Sequence, residues 1–258
     1  MTRLVICGKG GVGKTTVSAL ISRHLARAGT RALLVDADHA GGLEVALDLA
    51  PTRTLNDVRL AALEEAKARR TSRKPDLAAS IDYQLLETLV ERDHLAFLAL
   101  GRPEEDGCFC SVNTVLKRAL EVLAANFDVT LIDAEAGIEQ INRDVVGHVE
   151  HLLLVADASV KSLRVAQSLA AVAAQRQLAD HVHLVLNRLR EGDDPEALAS
   201  RAGVPLIAAL PDDPTVRAYD AEARSFFDLP DGPAPAALAP ALARLAISAV
   251  SAPGADPA

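Results

Sequence analysis

Short apolar runs, many of them β-branched or leucine-rich, alternate with longer alanine-rich stretches along most of the chain. The short runs predict buried strands of a mostly parallel sheet, and they lie at 4–7, 32–35, 95–100, 129–132, 152–155, 182–186 and 206–209. The longer stretches predict helices that cover this sheet, and the clearest lie at 15–28, 112–125 and 162–177. The alternation predicts a single α/β domain, whose twisted sheet has about seven or eight strands with helices on both faces.

Two regions interrupt this alternation. Residues 60–74 mix Glu, Lys and Arg densely, which predicts a solvated helix followed by a mobile basic loop at 69–74. Residues 230–235 are rich in proline and glycine, and they predict a linker before an alanine-rich helix. We therefore expect a main domain at 1–229, a C-terminal helical segment at 230–250 and a disordered tail at 251–258.

The net charge of the chain disfavours some classes of binding partner. Lys and Arg number 27 against 35 Asp and Glu, so the net charge of −8 disfavours binding to nucleic acids and to anionic membranes. No apolar run reaches the roughly 20 residues that span a bilayer, and the first residues lack a cleavable signal pattern. We expect a cytoplasmic protein without membrane association.

The segment at 8–16, GKGGVGKTT, matches the phosphate-binding pattern G-x-x-x-x-G-K-[ST] and joins the first predicted strand to the first predicted helix. Backbone N–H groups of such a loop turn inward around phosphate oxygens, and the helix N-terminus adds the positive end of its dipole. Lys14 supplies a full positive charge, and Thr15 is placed to ligate Mg²⁺. The predicted nucleotide-binding residues of this loop are Gly8, Gly10, Gly11, Val12, Gly13, Lys14, Thr15 and Thr16.

Two aspartates follow other predicted strands. Asp38 comes after the strand at 32–35, and Asp133 comes directly after the strand at 129–132. Ligands of parallel sheets bind at the carboxyl ends of the strands, so both carboxylates are expected near the phosphate-binding loop. Asp133 is the expected partner of Thr15 in holding Mg²⁺, either directly or through water.

Lys9 is informative because an ordinary phosphate-binding loop does not need a lysine immediately after its first glycine. With this lysine the loop resembles the deviant P-loop ATPases, a family that includes MinD, ParA, the nitrogenase iron protein and the metallocentre-maturation ATPases. The resemblance implies a nucleotide-sandwich homodimer in which Lys9 reaches the partner's phosphates and couples hydrolysis to dimerisation. It also implies that Asp38 positions the attacking water near Mg²⁺, that Lys14 is catalytic, and that the N–H of Gly137 approaches the γ-phosphate.

Three later residues match the base-recognition positions of that family. Asn187 ends a predicted strand with an amide that offers both a donor and an acceptor to adenine, and Pro211 and Asp213 follow the next strand. The resemblance therefore implies ATP rather than GTP. The alternative for Asn187 is a purely structural cap at the end of its strand.

Cys108 and Cys110 lie one residue apart, just before the predicted helix at 112–125. Near a helix N-terminus both thiols can ionise and ligate a soft or borderline metal. Two chains of a symmetric dimer would supply four thiolates, which complete a tetrahedral site for Zn²⁺ or a planar site for Ni²⁺. Cys7 instead lies inside the first strand, where a thiol packs as a small apolar group.

The run at 101–113, GRPEEDGCFCSVN, together with the segment at 133–139, resembles the CooC type of this family, the nickel-inserting ATPases of carbon monoxide dehydrogenase maturation. That resemblance implies an ATP-dependent metallochaperone, with ATP and Mg²⁺ in each subunit and Zn²⁺ or Ni²⁺ at the dimer interface. It implies a client metalloenzyme, for which carbon monoxide dehydrogenase is one candidate.

Two other functions use the same kind of loop. A ParA- or MinD-like positioning ATPase is disfavoured by the net charge and by a C-terminal segment that lacks a basic amphipathic pattern, although the cluster at 69–74 keeps a nucleic-acid surface open. A reductase resembling the nitrogenase iron protein takes its two cysteines from separate segments, whereas both thiols here share one loop. Four thiolates remain compatible with an iron–sulfur cluster.

Overall fold

A computed structural model describes residues 1–38, 40–68, 77–101, 120–134 and 148–245. Within these ranges eight strands form one sheet. They are β1 (Thr2–Gly8), β2 (Ala32–Ala37), β3 (Val90–Arg92), β4 (Leu95–Ala99), β5 (Val129–Ala134), β6 (Val149–Ala156), β7 (Ala179–Leu189) and β8 (Leu206–Pro211). Their spatial order is β3-β4-β2-β5-β1-β6-β7-β8, and every neighbouring pair is parallel except β3 with β4.

The α-helices lie between strands of this sheet or follow its last strand. They are α1 (Lys14–Arg27), α2 (Gly42–Leu47), α3 (Leu55–Ala68), α4 (Leu77–Thr88), α5 (Val160–Arg176), α6 (Pro195–Ala202), α7 (Pro214–Ala221) and α8 (Pro233–Arg244). A 3₁₀ turn occupies Phe226–Asp228, and residues 120–124 are helical. None of the described helices combines the length and the apolar content needed to cross a bilayer.

Both faces of the sheet are covered by apolar side chains of these helices. Along β1, Leu4 and Ile6 point into one core cluster, and Val5 points into the other. The first cluster also contains residues of α1, α2, α7 and α8, and the second contains residues of α3, α4, α5 and α6. A strand buried on both faces has no polar alternation, which is why the strands read as continuous apolar runs. The predicted α/β architecture, with helices on both faces, is confirmed.

The predicted elements agree with the observed ones wherever periodicity was strong. All seven predicted strands are present, and the predicted helices at 15–28 and 162–177 agree with α1 and α5 to within two residues. Sequence reasoning missed β3, a short antiparallel edge strand. Of the predicted helix at 112–125, only residues from 120 onward are described.

The charged region at 60–74 differs from its prediction. Helix α3 begins at Leu55, before that region, and it buries Val58, Ala62 and Leu63 against the sheet. The predicted helix is therefore present, but it begins earlier and is not solvated all round, because its charged residues hid a short apolar stripe. The predicted basic loop at 69–74 lies outside the described residues.

The C-terminal helix also differs from its prediction. Helix α8 begins at Pro233, inside the segment predicted as a linker at 230–235, and proline suits the first turn of a helix because its missing N–H needs no partner there. Upstream of it, the buried Arg23 of α1 donates a hydrogen bond from Nε to the carbonyl of Leu229, 2.8 Å away, and forms an ion pair with Asp231. The linker is thus shorter than predicted, and α8 packs on α1. The predicted tail at 251–258 lies outside the described residues.

The packing of α8 gives a test of its contribution to stability. Leu238 of α8 is only 2% exposed, so Leu238→Ala should lower the free energy of unfolding by about 2–5 kcal/mol through lost burial and a residual cavity. Leu86→Ala is the matched control, because Leu86 lies in a helix but is 60% exposed, and its effect should stay within about 0.5 kcal/mol. Urea unfolding followed by circular dichroism measures both, and equal losses would contradict a core role for α8.

The close approach of β1 to β6 gives a second test. Gly8 has φ of 153°, and a Cβ placed on it would lie 2.3 Å from the carbonyl oxygen of Val155. Because that atom is backbone, Gly8→Ala should destabilise the fold by about 2–4 kcal/mol. Gly10→Ala adds its Cβ to open space and should leave the unfolding free energy nearly unchanged. If thermal and urea unfolding showed the two variants to be equally stable, β1 and β6 would not be as tightly paired as described.

Candidate nucleotide site

The loop between β1 and α1 has the backbone of an anion-binding turn. Gly11 and Gly13 have φ of 82° and 91°, and Gly13 occupies the N-cap position of α1 without a side-chain cap. Gly13 therefore gives the first N–H groups of α1 no side-chain acceptor, and these groups lie at the positive end of the helix dipole. The loop and the helix together offer backbone donors to a phosphate group.

The charged and hydroxyl groups predicted for phosphate binding gather around this loop. Lys14 is buried at 8% exposure, Thr16 is buried, and Thr15 is half-buried. Lys9 is half-buried and faces Asp157 at the end of β6. Burial alone would raise the pKa of Asp157, but hydrogen bonding from Ser159 and the positive charge of Lys9 lower it. In the single chain, Lys9 therefore faces a carboxylate of its own subunit.

Asp133 lies at the carboxyl end of β5 and is fully buried beside α1. Its Oδ1 accepts a hydrogen bond from the Ser18 hydroxyl at 3.0 Å, whereas its Oδ2 is buried without a hydrogen-bond partner in the described part of the chain. The pKa of Asp133 is raised to about 7, mainly by burial; the Asp36 carboxylate also raises it, whereas hydrogen bonding from Thr15 and Ser18 and the charge of Lys14 lower it. A buried, unpartnered carboxylate oxygen next to a hydroxyl and a lysine suits a divalent cation, so Asp133 and Thr15 fit the predicted Mg²⁺ site.

Asp36, which sequence reasoning missed, holds the loop that carries Asp38. Its Oδ2 accepts hydrogen bonds from the N–H groups of Leu43 at 2.9 Å and Glu44 at 3.2 Å, and its Oδ1 accepts one from the N–H of Asp38 at 3.1 Å. Burial nevertheless raises the pKa of Asp36 to about 6. Asp38 is half-buried, and its Oδ1 accepts a hydrogen bond from the N–H of Ala40 at 2.9 Å. Residue 39 lies outside the described residues.

The three predicted base-contacting residues line one hollow beside α1. The hollow lies at the ends of β7 and β8, and its lining includes Asn187, Pro211 and Asp213 together with Thr16 and Leu20. A shared base site requires these three residues to lie close together, and the structure places them around one hollow. Their hydrogen bonds nevertheless show structural roles that the prediction did not include.

Asp213 is 5% exposed, and both of its carboxylate oxygens accept hydrogen bonds from backbone N–H groups. Oδ1 caps α7 through Thr215 at 2.9 Å and Val216 at 3.4 Å, and Oδ2 accepts from Ala234 in the first turn of α8 at 3.2 Å. Asp213 thus joins two helices at the hollow. A carboxylate with several backbone donors is held rigidly, so it shapes the hollow whether or not it touches a base.

Asn187 is also 5% exposed, and its Nδ2 donates to the carbonyl of Val12 at 2.9 Å. The amide group of Asn187 therefore holds the phosphate-binding loop in this structure. This role is structural, as is the strand-end cap that was the alternative prediction. Its role in base recognition stays a prediction. The neighbouring Arg188, which was not predicted as a site residue, donates from Nη1 to the carbonyl of Gly11 at 3.1 Å.

The remaining predicted site residues lie elsewhere. Gly137, Cys108 and Cys110 fall outside the described residues, whereas Cys7 is buried inside β1 as predicted. Among the residues that the structure describes, no three or more His, Cys, Asp or Glu side chains are grouped so as to hold a metal ion. The described residues bring together a backbone anion site, a buried lysine and a carboxylate with one unpartnered oxygen. These groups can bind Mg²⁺ together with a polyphosphate.

Comparisons with known proteins agree with that geometry. A profile of the CobQ/CobB/MinD/ParA nucleotide binding domain family matches residues 4–226. An ATP-binding protein of Methanocaldococcus jannaschii is 30% identical over 234 residues, covering 88% of this chain and 91% of that protein. The carbon monoxide dehydrogenase accessory protein CooC of Rhodospirillum rubrum is 26% identical, covering 88% of this chain and 90% of that protein.

A solved structure extends the similarity to three dimensions. The cell division ATPase MinD of Pyrococcus furiosus superposes with a TM-score of 0.71 at 25% identity, covering 95% of this chain and 98% of that one. The family profile spans most of the chain, including most of β1, the loop at 8–16, Asp133 and the predicted base-contacting residues at the ends of β7 and β8. The chain is therefore a member of the CobQ/CobB/MinD/ParA family of nucleotide-binding domains.

Proposed function

We propose that this protein is an ATP-dependent metallochaperone, which hydrolyses ATP in a nucleotide-sandwich homodimer to drive insertion of a metal into a client enzyme. The nucleotide half of the proposal is carried by one observation. Oδ2 of Asp133 is buried beside the phosphate-binding loop and has no hydrogen-bond partner among the described residues, so a bound cation would satisfy it.

The residues of one subunit divide the proposed work. Backbone N–H groups of the loop and the charge of Lys14 bind the phosphates, and Thr15 and Asp133 hold Mg²⁺. Bound Mg²⁺ would neutralise phosphate charge. Asp36 fixes the backbone from which Asp38 orients the attacking water, and Lys9 of the partner subunit stabilises the charge that develops on the phosphates.

The metal half of the proposal depends on Cys108 and Cys110. Two thiolates per chain are half of a four-coordinate site, so a symmetric dimer would hold one Ni²⁺ or Zn²⁺ as cargo between its subunits. The CooC protein of R. rubrum, similar over most of both chains, supports this interpretation, because its name links it to carbon monoxide dehydrogenase. The client of the present protein is proposed by that similarity, and another metalloenzyme would suit the same cysteines.

A positioning ATPase is the second candidate, because the P. furiosus MinD has 25% identity and the same fold. A reductase with an iron–sulfur cluster is the third. Anaerobic purification followed by metal analysis and a visible spectrum separates the three. The proposal expects nickel or zinc without cluster absorption, whereas a metal-free protein would favour positioning, and a brown protein with iron and sulfide would favour the reductase.

The role of Lys9 is tested by Lys9→Ala. Binding of MgATP should be retained, because Lys14 and the loop of the same subunit remain, but turnover should fall about a hundredfold, because a charge is missing where phosphate charge develops. Lys9→Arg should keep part of the activity. Arg176→Ala removes an exposed cation from the far end of α5 and is the control. Parental turnover in Lys9→Ala would exclude the proposed action of Lys9 across the dimer.

The metal site is tested by stoichiometry. One Zn²⁺ or Ni²⁺ should bind per dimer, and replacing both Cys108 and Cys110 with Ser should abolish that binding while MgATP binding is kept. Because each thiol must lose its proton to become the thiolate that binds the metal, the affinity should fall on acidification and protons should be released on binding.

The control for this experiment is Cys7→Ala, which removes the third thiol from a buried strand and should leave metal binding intact. Calorimetry and metal analysis on a column-purified dimer measure the ratio. One ion per subunit, or undiminished binding in the double Ser variant, would count against a shared thiolate site.

A further inference from the structure

Two consecutive side chains of β7 hold two consecutive carbonyls of the phosphate-binding loop. Asn187 donates from Nδ2 to the carbonyl of Val12 at 2.9 Å, and Arg188 donates from Nη1 to the carbonyl of Gly11 at 3.1 Å. These residues are about 175 positions apart in the chain, so the contacts join two separate elements of the fold. We call the pair the β7 clamp.

The clamp depends on an irregularity in β7. Successive side chains of a regular strand point to opposite faces, so Asn187 and Arg188 would not normally reach the same loop. The pairing of β7 with β8 shifts register between Leu186 and Leu189, and Arg188 has φ of 58°, a left-handed backbone that a residue with a Cβ adopts at a cost. Strained backbone of this kind persists where the surrounding structure demands it, and here it directs both side chains at the loop.

The clamp fixes which way the loop amides point. All described peptide bonds are trans, and in a trans peptide the carbonyl and the following N–H point in opposite directions. Holding the carbonyl of Gly11 therefore turns the N–H of Val12 away from β7, and holding the carbonyl of Val12 does the same for the N–H of Gly13. These N–H groups belong to the segment that cradles phosphate oxygens in loops of this pattern.

The closeness of the clamp explains the glycine at position 13. A Cβ on Gly13 would lie 2.3 Å from Nδ2 of Asn187 and 3.6 Å from Nη2 of Arg188. A side chain at position 13 would therefore displace the Asn187 amide from the loop. The same glycine has positive φ, so two independent constraints act at this position.

The positive charge of Arg188 also favours anion binding at the loop. Its side chain is exposed and forms no ion pair with a carboxylate in the described ranges, whereas the nearby Arg217 pairs with Asp212 at 3.3 Å. An unneutralised guanidinium bonded to the loop raises the local potential for an anion, and it does so from outside the phosphate-binding loop itself.

We propose that Arg188 is a positioning residue that preorganises the phosphate-binding loop, by holding the Gly11 carbonyl so that the following amides face the nucleotide phosphates. This inference rests on nucleotide binding at the loop, which is one part of the proposed function, and it is independent of metal transfer. Arg188 acts through the backbone of residues 11–13 and does not itself need to touch the nucleotide.

The test compares Arg188→Ala, Arg188→Lys and Arg188→Gly in the full-length protein. In Arg188→Ala the dissociation constant of MgADP, measured by calorimetry, should rise about five- to tenfold, the effect of losing one typical hydrogen bond. Arg188→Lys keeps a hydrogen-bond donor, so its dissociation constant for MgADP should rise less. Arg188→Gly relieves the left-handed backbone but lacks the guanidinium, so it should bind as weakly as Arg188→Ala.

A second readout separates positioning from a general loss of stability. In the nucleotide-free protein, amide hydrogen exchange of residues 9–13 should be faster in Arg188→Ala, while the melting temperature stays close to that of the parent, because Arg188 is exposed. The control is Arg201→Ala, an exposed arginine in the last turn of α6, which should change neither affinity nor exchange.

The outcomes are distinct. Parental or tighter MgADP binding in Arg188→Ala, or parental binding in Arg188→Gly, would overturn the clamp, because neither result is compatible with a guanidinium that preorganises the loop. Unchanged exchange at residues 9–13 would overturn it as well. A parent protein that binds no nucleotide would defeat the proposed function instead, and the exchange experiment on the nucleotide-free protein would still decide the clamp.

Discussion

The parallel pairing of β1 between β5 and β6 is the constraint on which the site depends. Ile6 lies in register with Asp133, and Gly8 lies in register with Val155. This pairing places the start of the phosphate-binding loop at the same edge as the buried carboxylate of Asp133. Because β1 and its neighbours are parallel, the connection that leaves β1 must cross a face of the sheet, so α1 begins at this edge and adds its N-terminal N–H groups to the same site.

That arrangement has an electrostatic cost in the nucleotide-free protein. Asp36 and Asp133 lie in register on neighbouring strands, both are buried, and the pKa of each carboxyl is raised by burial. Asp36 is stabilised by backbone N–H groups, whereas one oxygen of Asp133 has no described partner. An unsatisfied buried group of this kind costs about 1–3 kcal/mol, and a cation that binds there would remove that cost. The stability of the folded protein should therefore increase when a cation binds at this site.

The sequence was sufficient for the fold and for the phosphate-binding loop, because both depend on local patterns. Apolar runs of strand length and the spacing of glycines before Lys14 are visible without any three-dimensional information. The clamp was not visible, because nothing in the sequence indicates that Arg188 has positive φ or that β7 changes register with β8. Asp36 was missed for a related reason: its partners are backbone amides of a turn whose shape cannot be read from residue types.

The errors at the C-terminus have the same origin and lead to a connection between distant parts of the chain. Proline-rich composition favours a linker in isolation, yet Asp213 accepts a hydrogen bond from the N–H of Ala234 and so draws α8 against the hollow at β7 and β8. The other oxygen of Asp213 caps α7, so one buried carboxylate fixes the ends of two helices and one wall of the predicted base site. Since α8 also packs through Leu238 and Leu242 into the α1 core, the shape of the base hollow depends on the packing of the C-terminal helix. Residues far beyond the phosphate-binding loop therefore contribute to the nucleotide site through packing and need no contact with the nucleotide.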